Sequence, residues 1–213
     1  MSISIAENVD CMVALSKFED KFFNLAIVDP EYGIGISSNP IRQKHTKKDW
    51  DNKIPTQEYF NELFRVSKNQ IICGGNYFGL PPTQCFIVWN KLQPEDLTLA
   101  MCEYLWTSFK SPAKIFTQSV LKERNRIHPT QKPVALYKWL LNNYAKECDK
   151  ILDSHLGSGS SRIACYDMGF DFYGYELDTD YFNAQEKRFK DHISQVRLFE
   201  PVPKEIIKDV ELF

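Results

Sequence analysis

The sequence predicts a three-layer α/β domain around a mostly parallel, twisted sheet, and two patterns carry that prediction. Short apolar runs rich in β-branched residues stop abruptly at turn residues. Asn24-Leu25-Ala26-Ile27-Val28 runs into Asp29-Pro30-Glu31-Tyr32-Gly33, and Ile151-Leu152-Asp153 runs into Ser154-His155-Leu156-Gly157-Ser158-Gly159-Ser160. Between such runs apolar residues recur at helical spacing, as in Tyr59, Phe60, Leu63, Phe64 and Val66, and again in Leu136, Trp139, Leu140 and Leu141. Open sheets of this kind hold their ligands outside the carboxyl ends of the strands, which makes the polar residues after each run the candidate site.

Taken in order, Ile3 to Ile5 alternates with polar residues as a short strand does. Asp10 precedes a helical stretch from Met12 to Phe18 that its side chain can cap. After the first apolar run, residues 35–51 are polar and basic without periodicity, and a loop of that length in a compact domain is usually functional or mobile. Pro55 opens an amphipathic helix. Gln70 to Cys73 and Gln84 to Lys91 read as buried strands divided at Pro81-Pro82, and Glu103 to Phe109 alternates with period two like a strand at one side of the sheet. Pro133 suits the first turn of a helix. A strand at Lys150 to Asp153, a helix from Arg162 to Met168, a strand at Phe172 to Glu176 and a long helix through Tyr181, Ala184, Arg188 and Ile193, capped by Thr179 or Asp180, complete the pattern.

With 213 residues the chain suffices for one domain with a sizeable core. Residues 1–199 are expected to form it, with 36–55 as a mobile basic loop, 110–127 as a short candidate recognition segment and 200–213 as a tail. No apolar run approaches the roughly 20 residues that span a bilayer. Met1-Ser2-Ile3-Ser4-Ile5 lacks the blocks of a signal peptide, so a cytoplasmic protein without membrane association is expected. The six cysteines are scattered, none in a two-residue-spaced pair, which favours reduced and mostly buried thiols over a metal site or a disulfide frame. A formal charge of −2 does not itself select a nucleic-acid partner, because phosphate neutralisation needs basic surface; the distribution of charge matters more.

Three segments together resemble the amino-methyltransferase family, which moves a methyl group from S-adenosylmethionine to an exocyclic amine of a DNA base. They are Asp29-Pro30-Glu31-Tyr32, His128-Pro129-Thr130-Gln131-Lys132-Pro133, and the Ile151 to Ser160 loop followed by Tyr175-Glu176-Leu177-Asp178. The resemblance runs from about Asp10 to Arg188. Its order, catalytic loop first and glycine-rich loop late, is similar to the circularly permuted β group. It implies a Rossmann-like methyltransferase fold with one antiparallel strand at Glu103 to Phe109, S-adenosylmethionine as cofactor and DNA as partner. Adenine N6 is the implied acceptor, since family members acting on cytosine N4 more often carry serine at the place of Asp29.

By the same resemblance, the Asp29 carboxylate and the Pro30 carbonyl accept the two amine hydrogens, while Tyr32 stacks on a base that has left the duplex. Thr130 and Lys132 fall to the amino-acid end of the cofactor, and Asp10 to its adenine or to a helix cap. Asp153, Leu156, Gly157, Ser158, Gly159 and Ser160 make the turn where backbone can approach closely, with Glu176 on the ribose. His128 is expected to be structural. Arg42, Lys44, Lys47 and Lys48, with Trp50 as a stacking group, and Lys122, Arg124 and Arg126 are candidate phosphate contacts. The chain has little room for a target-recognition insert, so a short target sequence, a restriction or recognition partner, or a homodimer is expected.

The rivals are a nicotinamide enzyme, disfavoured because the loop lacks the full Gly-x-Gly-x-x-Gly pattern, and a P-loop protein, disfavoured because no Gly-Lys-Ser/Thr ends the turn. Cytosine-N4 methylation, RNA methylation and a non-catalytic binding relic stand behind the main reading. Two departures from the family pattern bear on it. Glu31 replaces a usual proline, and Ser154-His155 stands where proline and phenylalanine are common.

Overall fold

The computed structural model describes residues 2–35, 53–97, 99–120 and 126–199, the side chains of 196–199 excepted. Arg42, Lys44, Lys47, Lys48, Trp50, Lys122, Arg124 and the tail at 200–213 lie outside the described residues.

Among the described residues eight strands form one sheet: β1 (Ser4–Asn8), β2 (Phe23–Val28), β3 (Ser67–Cys73), β4 (Phe86–Asn90), β5 (Cys102–Thr107), β6 (Lys114–Thr117), β7 (Lys150–Asp153) and β8 (Asp171–Glu176). Their spatial order is β1-β8-β7-β2-β3-β5-β4-β6. β5 runs antiparallel to β3 and β4, and the other pairings are parallel. The expected single antiparallel strand is therefore β5. It lies inside the sheet, with β4 and β6 beyond it.

Among the described residues five α-helices cover the sheet: α1 (Cys11–Leu15), α2 (Gln57–Val66), α3 (Val134–Tyr144), α4 (Ser160–Met168) and α5 (Thr179–Phe199). Strand periodicity explains the three layers, because successive side chains leave opposite faces. Leu25 and Ile27 of β2 join Leu136 and Leu140 of α3 and Ala164 of α4 in one core. Ala26 and Val28 join Leu15 of α1 and Tyr59 and Leu63 of α2 in the other. Strands buried on both faces read as continuous apolar runs, which is why β2 and β7 were legible.

Three local details differ from expectation. Lys114–Thr117, inside the segment assigned to recognition, is an edge strand paired in parallel with β4. Four residues with Phe116 buried and Ile115 68% exposed carry too little pattern to be read as a strand. α2 passes into β3 without a loop, Val66 meeting Ser67, whose hydroxyl donates to the Leu63 carbonyl at 2.5 Å. α5 is capped by Asp178, whose carboxylate accepts from the backbone of Asp180 at 2.9 Å and Tyr181 at 3.1 Å, in place of Thr179 or Asp180. Of the cysteines, Cys73, Cys85 and Cys165 are buried, while Cys102 and Cys148 are exposed. Among the described residues no helix is long and apolar enough to cross a membrane.

Candidate active site

A cleft of about 1670 Å³ opens at the carboxyl ends of the parallel strands. β2 and β7 are neighbours, so the Asp29 loop and the glycine loop come side by side. Because β5 runs the opposite way, its first residues lie at this same edge. Glu103 pairs in register with Trp89 near the end of β4, and both line the cleft.

At one end stands a cluster of charged side chains. The Lys132 ammonium, 3% exposed, lies 2.5 Å from Asp29 Oδ2 and 2.8 Å from Glu103 Oε1. Glu103 Oε2 meets Lys91 at 2.8 Å. The Tyr32 hydroxyl is 2.7 Å from both Asp29 Oδ1 and Glu103 Oε1, and Lys132 donates to it at 3.1 Å. Burial pushes the Asp29 carboxyl up, Lys132 opposes that, and Glu103 adds to it. Burial also works against the charge on Glu103, but Lys132 and Lys91 outweigh it and hold that carboxyl down at about 2. For Lys132 burial is likewise overcome, here by the two carboxylates, and its pKa is raised.

Two expected roles look different against this geometry. Lys132, assigned to the amino-acid end of a cofactor, spends its ammonium on Asp29, Glu103 and Tyr32, because a buried cation needs anionic partners and both carboxylates are here. Tyr32, assigned to base stacking, already stacks on Tyr77, with ring centroids 4.9 Å apart and planes at 16°, and meets Phe78 edge-on. Tyr77, 42% exposed, lines the cleft. Gly74, in the left-handed region at φ +66°, has no room for a Cβ, which would overlap the Tyr32 ring.

The other end is built on backbone. Asp153 is 1% exposed and accepts from the His155 amide at 3.1 Å and the Ser161 hydroxyl at 2.5 Å. Burial lifts its carboxyl to about 6. Glu176 accepts from the Gly157 amide at 2.7 Å and the Asp178 amide at 2.8 Å, tying the glycine loop to the end of β8. Burial raises the Glu176 carboxyl, and these two bonds oppose the rise. Leu156, Gly157, Ser158 and Glu176 face the cleft.

Asp153, Gly159 and Ser160, expected to touch a cofactor, do not line the cleft; they shape the loop from behind. Asp153 is its buried hydrogen-bond anchor. Gly159 is the left-handed residue before α4, against Gln185, and the Ser160 hydroxyl accepts from Arg188 at 2.9 Å.

Asp10 lines the cleft and also caps α1, accepting from the Met12 amide at 2.8 Å, so the capping alternative is realised. Thr130 lines the cleft with its hydroxyl 3.0 Å from His128 Nδ1, and the His128 ring packs against Tyr181 at 4.2 Å. Arg126 is at the cleft as well, its guanidinium donating to the Val120 carbonyl. The two departures from the family pattern meet in space, with His155 Nε2 3.5 Å from Glu31 Oε2. Burial disfavours the imidazolium, yet a hydrogen bond with Cys11 and the charge of Glu31 lift the His155 pKa to about 10. Glu103, Lys91 and Tyr77 are site residues that the sequence reading passed over.

Residues 82–187 match the model of the N6/N4 DNA methylase family. The chain is 35% identical over 63 residues to the Type II methyltransferase M2.DpnII of Streptococcus pneumoniae, covering 30% of this chain and 24% of that protein. It is 30% identical over 82 residues to the Type II methyltransferase M2.LlaDCHI of Lactococcus lactis subsp. cremoris, covering 37% and 30% respectively. These matches thus span less than a third of the curated relatives' length. Among solved structures, M1.HpyAVI in its SAM complex superposes with a TM-score of 0.62 at 18% identity, over 88% of this chain and 100% of that one. The cytosine-N4-specific PvuII DNA methyltransferase gives 0.59 at 12% identity, over 92% and 93%. Such identities establish the fold. The family match, which runs from β4 into α5, identifies that part of the chain with the N6/N4 DNA amino-methyltransferase family.

Proposed function

We propose that the protein transfers a methyl group from S-adenosylmethionine to an exocyclic amine of a DNA base, adenine N6 being the first acceptor and cytosine N4 the second. The observation that carries this reading is one cleft with two unlike ends, a carboxylate cluster after β2 and a glycine loop after β7. The cleft exceeds the roughly 300–1,000 Å³ of a single-ligand pocket, which leaves space for a cofactor and an acceptor together.

The glycine-loop residues fit the cofactor. Beside Gly157, at φ +50°, the nearest atoms to a built Cβ are 3.9 Å away, so the backbone there is open. The second lone pairs of the Glu176 oxygens and the hydroxyl of Thr130 add hydrogen-bonding groups. When bound, the cofactor supplies an electrophilic methyl group. The chain's own residues act on the acceptor. Asp29 and the Pro30 carbonyl accept the amine hydrogens and turn its lone pair out of the ring, which is a matter of positioning. Asp29, its pKa raised by burial, is also suited to hold the proton that the amine gives up. Tyr32 and Tyr77 form an aromatic pair beside it, and Tyr77 has open surface for a base.

Adenine is favoured by Asp29, and the fold shared with a cytosine-N4 enzyme keeps the alternative in view. Incubating the protein with labelled cofactor and DNA, then separating the nucleosides, distinguishes the two. N6-methyladenine is the expected product, N4-methylcytosine selects the alternative, and cofactor binding without transfer selects a non-catalytic binder. DNA contacts are proposed for Arg126 and for the basic residues outside the described segments, so affinity should fall steeply with salt.

A further inference from the structure

Asp29 is fully engaged before any acceptor arrives. One oxygen receives the Lys132 ammonium at 2.5 Å, and the other lies 2.7 Å from the Tyr32 hydroxyl. An amine docking on Asp29 must compete with both donors. Lys132 is 3% exposed, so moving it away from Asp29 without another anion would strand a buried charge.

Glu103 removes that difficulty. Its Oε1 is 2.8 Å from Lys132 and 2.7 Å from the Tyr32 hydroxyl, so the same two donors already touch a second carboxylate. Its Oε2 is fixed by Lys91 at 2.8 Å, and the Lys91 ammonium in turn sits over the Trp89 ring at 5.0 Å. The reversed direction of β5 puts Glu103 at this edge of the sheet, in register with Trp89. Two lysines and two carboxylates therefore form a compact neutral set in which one carboxylate faces an acceptor and the other is locked.

We propose that Glu103 is a positioning residue for methyl transfer: it shares Lys132 and Tyr32 with Asp29 and takes sole hold of both when Asp29 turns to the acceptor amine. The Tyr32 phenol has one hydrogen, so it can serve only one carboxylate at a time, and Glu103 gives that hydrogen a place to go. The inference rests on the proposed function in its assignment of Asp29 to the amine. It adds that the resting site is self-paired and that Glu103 makes the exchange free of an unpaired charge.

The test compares Glu103→Gln and Glu103→Asp with wild type. The amide keeps the size of the side chain and loses its charge, while aspartate keeps the charge on a shorter stem. Glu103→Gln should lower kcat by about 10- to 100-fold, as removal of a partner that orients an active-site group does. Affinity for S-adenosylmethionine should stay within about twofold, since Glu103 makes no contact at the glycine loop, and Glu103→Asp should recover part of the loss. A Gln variant with wild-type kcat overturns the inference.

A second readout needs no turnover. The 13C carboxyl shift of Asp29 is followed against pH, with Lys132, Glu103, Tyr32 and the Cys73 thiol as the groups around it. Loss of the Glu103 charge leaves Lys132 to Asp29 alone, so the Asp29 midpoint should move down; an unmoved midpoint overturns the proposal. If wild-type protein transfers no methyl group to DNA, the proposed function fails, and the carboxyl titration still decides whether Glu103 shares these donors.

Discussion

At one end of the cleft, Tyr32 meets Glu103 and Lys132 from 71 and 100 positions away along the chain, through charged and hydroxyl groups. At the other end, Gly157 meets Glu176 across 19 positions in one continuous strand-loop-helix-strand unit, through backbone amides. Side-chain networks of the first kind hold several charges in a low dielectric, where each partner sets the behaviour of the others. A backbone cradle of the second kind depends on conformation more than on charge. Substitutions at the first end should therefore change turnover and spare cofactor affinity, and those at the second should do the reverse.

The sharpest way to break this contrast is Asp29→Ala. It should lower methyl transfer by about 100- to 1000-fold, the scale of losing one preorganised group at a reacting centre. Calorimetric affinity for S-adenosylmethionine should be little changed. Near-wild-type turnover would reduce Asp29 to a turn residue.

Glu176→Ala is the counterpart at the glycine loop. It removes two charge-assisted bonds to backbone amides and should weaken cofactor binding by on the order of 1.5–3 kcal/mol. Unchanged affinity would take Glu176 out of the binding site.

Tyr32→Phe tests the acceptor end more gently. The ring and its stack on Tyr77 are kept, and the hydroxyl between two carboxylates is lost, so kcat should fall by about tenfold. A change below twofold would leave only the ring at work, as a pure stacking role requires.

The smallest effect concerns the Glu31–His155 pair that bridges the two loops. The folded His155 pKa of about 10 lies above its ordinary 6.5, so its contribution to stability is complete below pH 6.5 and is lost as pH rises through 10. Glu31→Gln should flatten the fall of melting temperature over that window. Because Glu31 is 32% exposed, the difference should be about 0.5–1 kcal/mol. Parallel melting curves for the two proteins would show that the pair is idle.

The same contrast decides what could be read from the sequence. Apolar strands ending in Asp29-Pro30 or in Gly157 and Gly159 carry their signal locally, so β2, β7 and the glycine loop were legible in the sequence, whereas the antiparallel direction of β5 was implied by the family resemblance alone. Glu103 was not, because within Glu103-Tyr104-Leu105-Trp106 it looks like the polar partner of an alternating strand. Its role comes from sheet order and from the reversal of β5, which no short window encodes. Lys132 was found by its motif, but its pairing with Asp29, Glu103 and Tyr32 was hidden for the same reason. Asp153 looked like a ligand-facing residue at a strand end, and only burial shows it turned inward to hold its own loop.

Gly74 gives the molecule an indirect point of control. A single methyl added there overlaps the Tyr32 ring while every charged and hydroxyl group of the cleft remains encoded in the chain. Under the proposed function, Gly74→Ala should give a silent twin of the protein, one that still settles on DNA without leaving a chemical mark. Such a twin, tracked by where it rests, would map binding apart from modification.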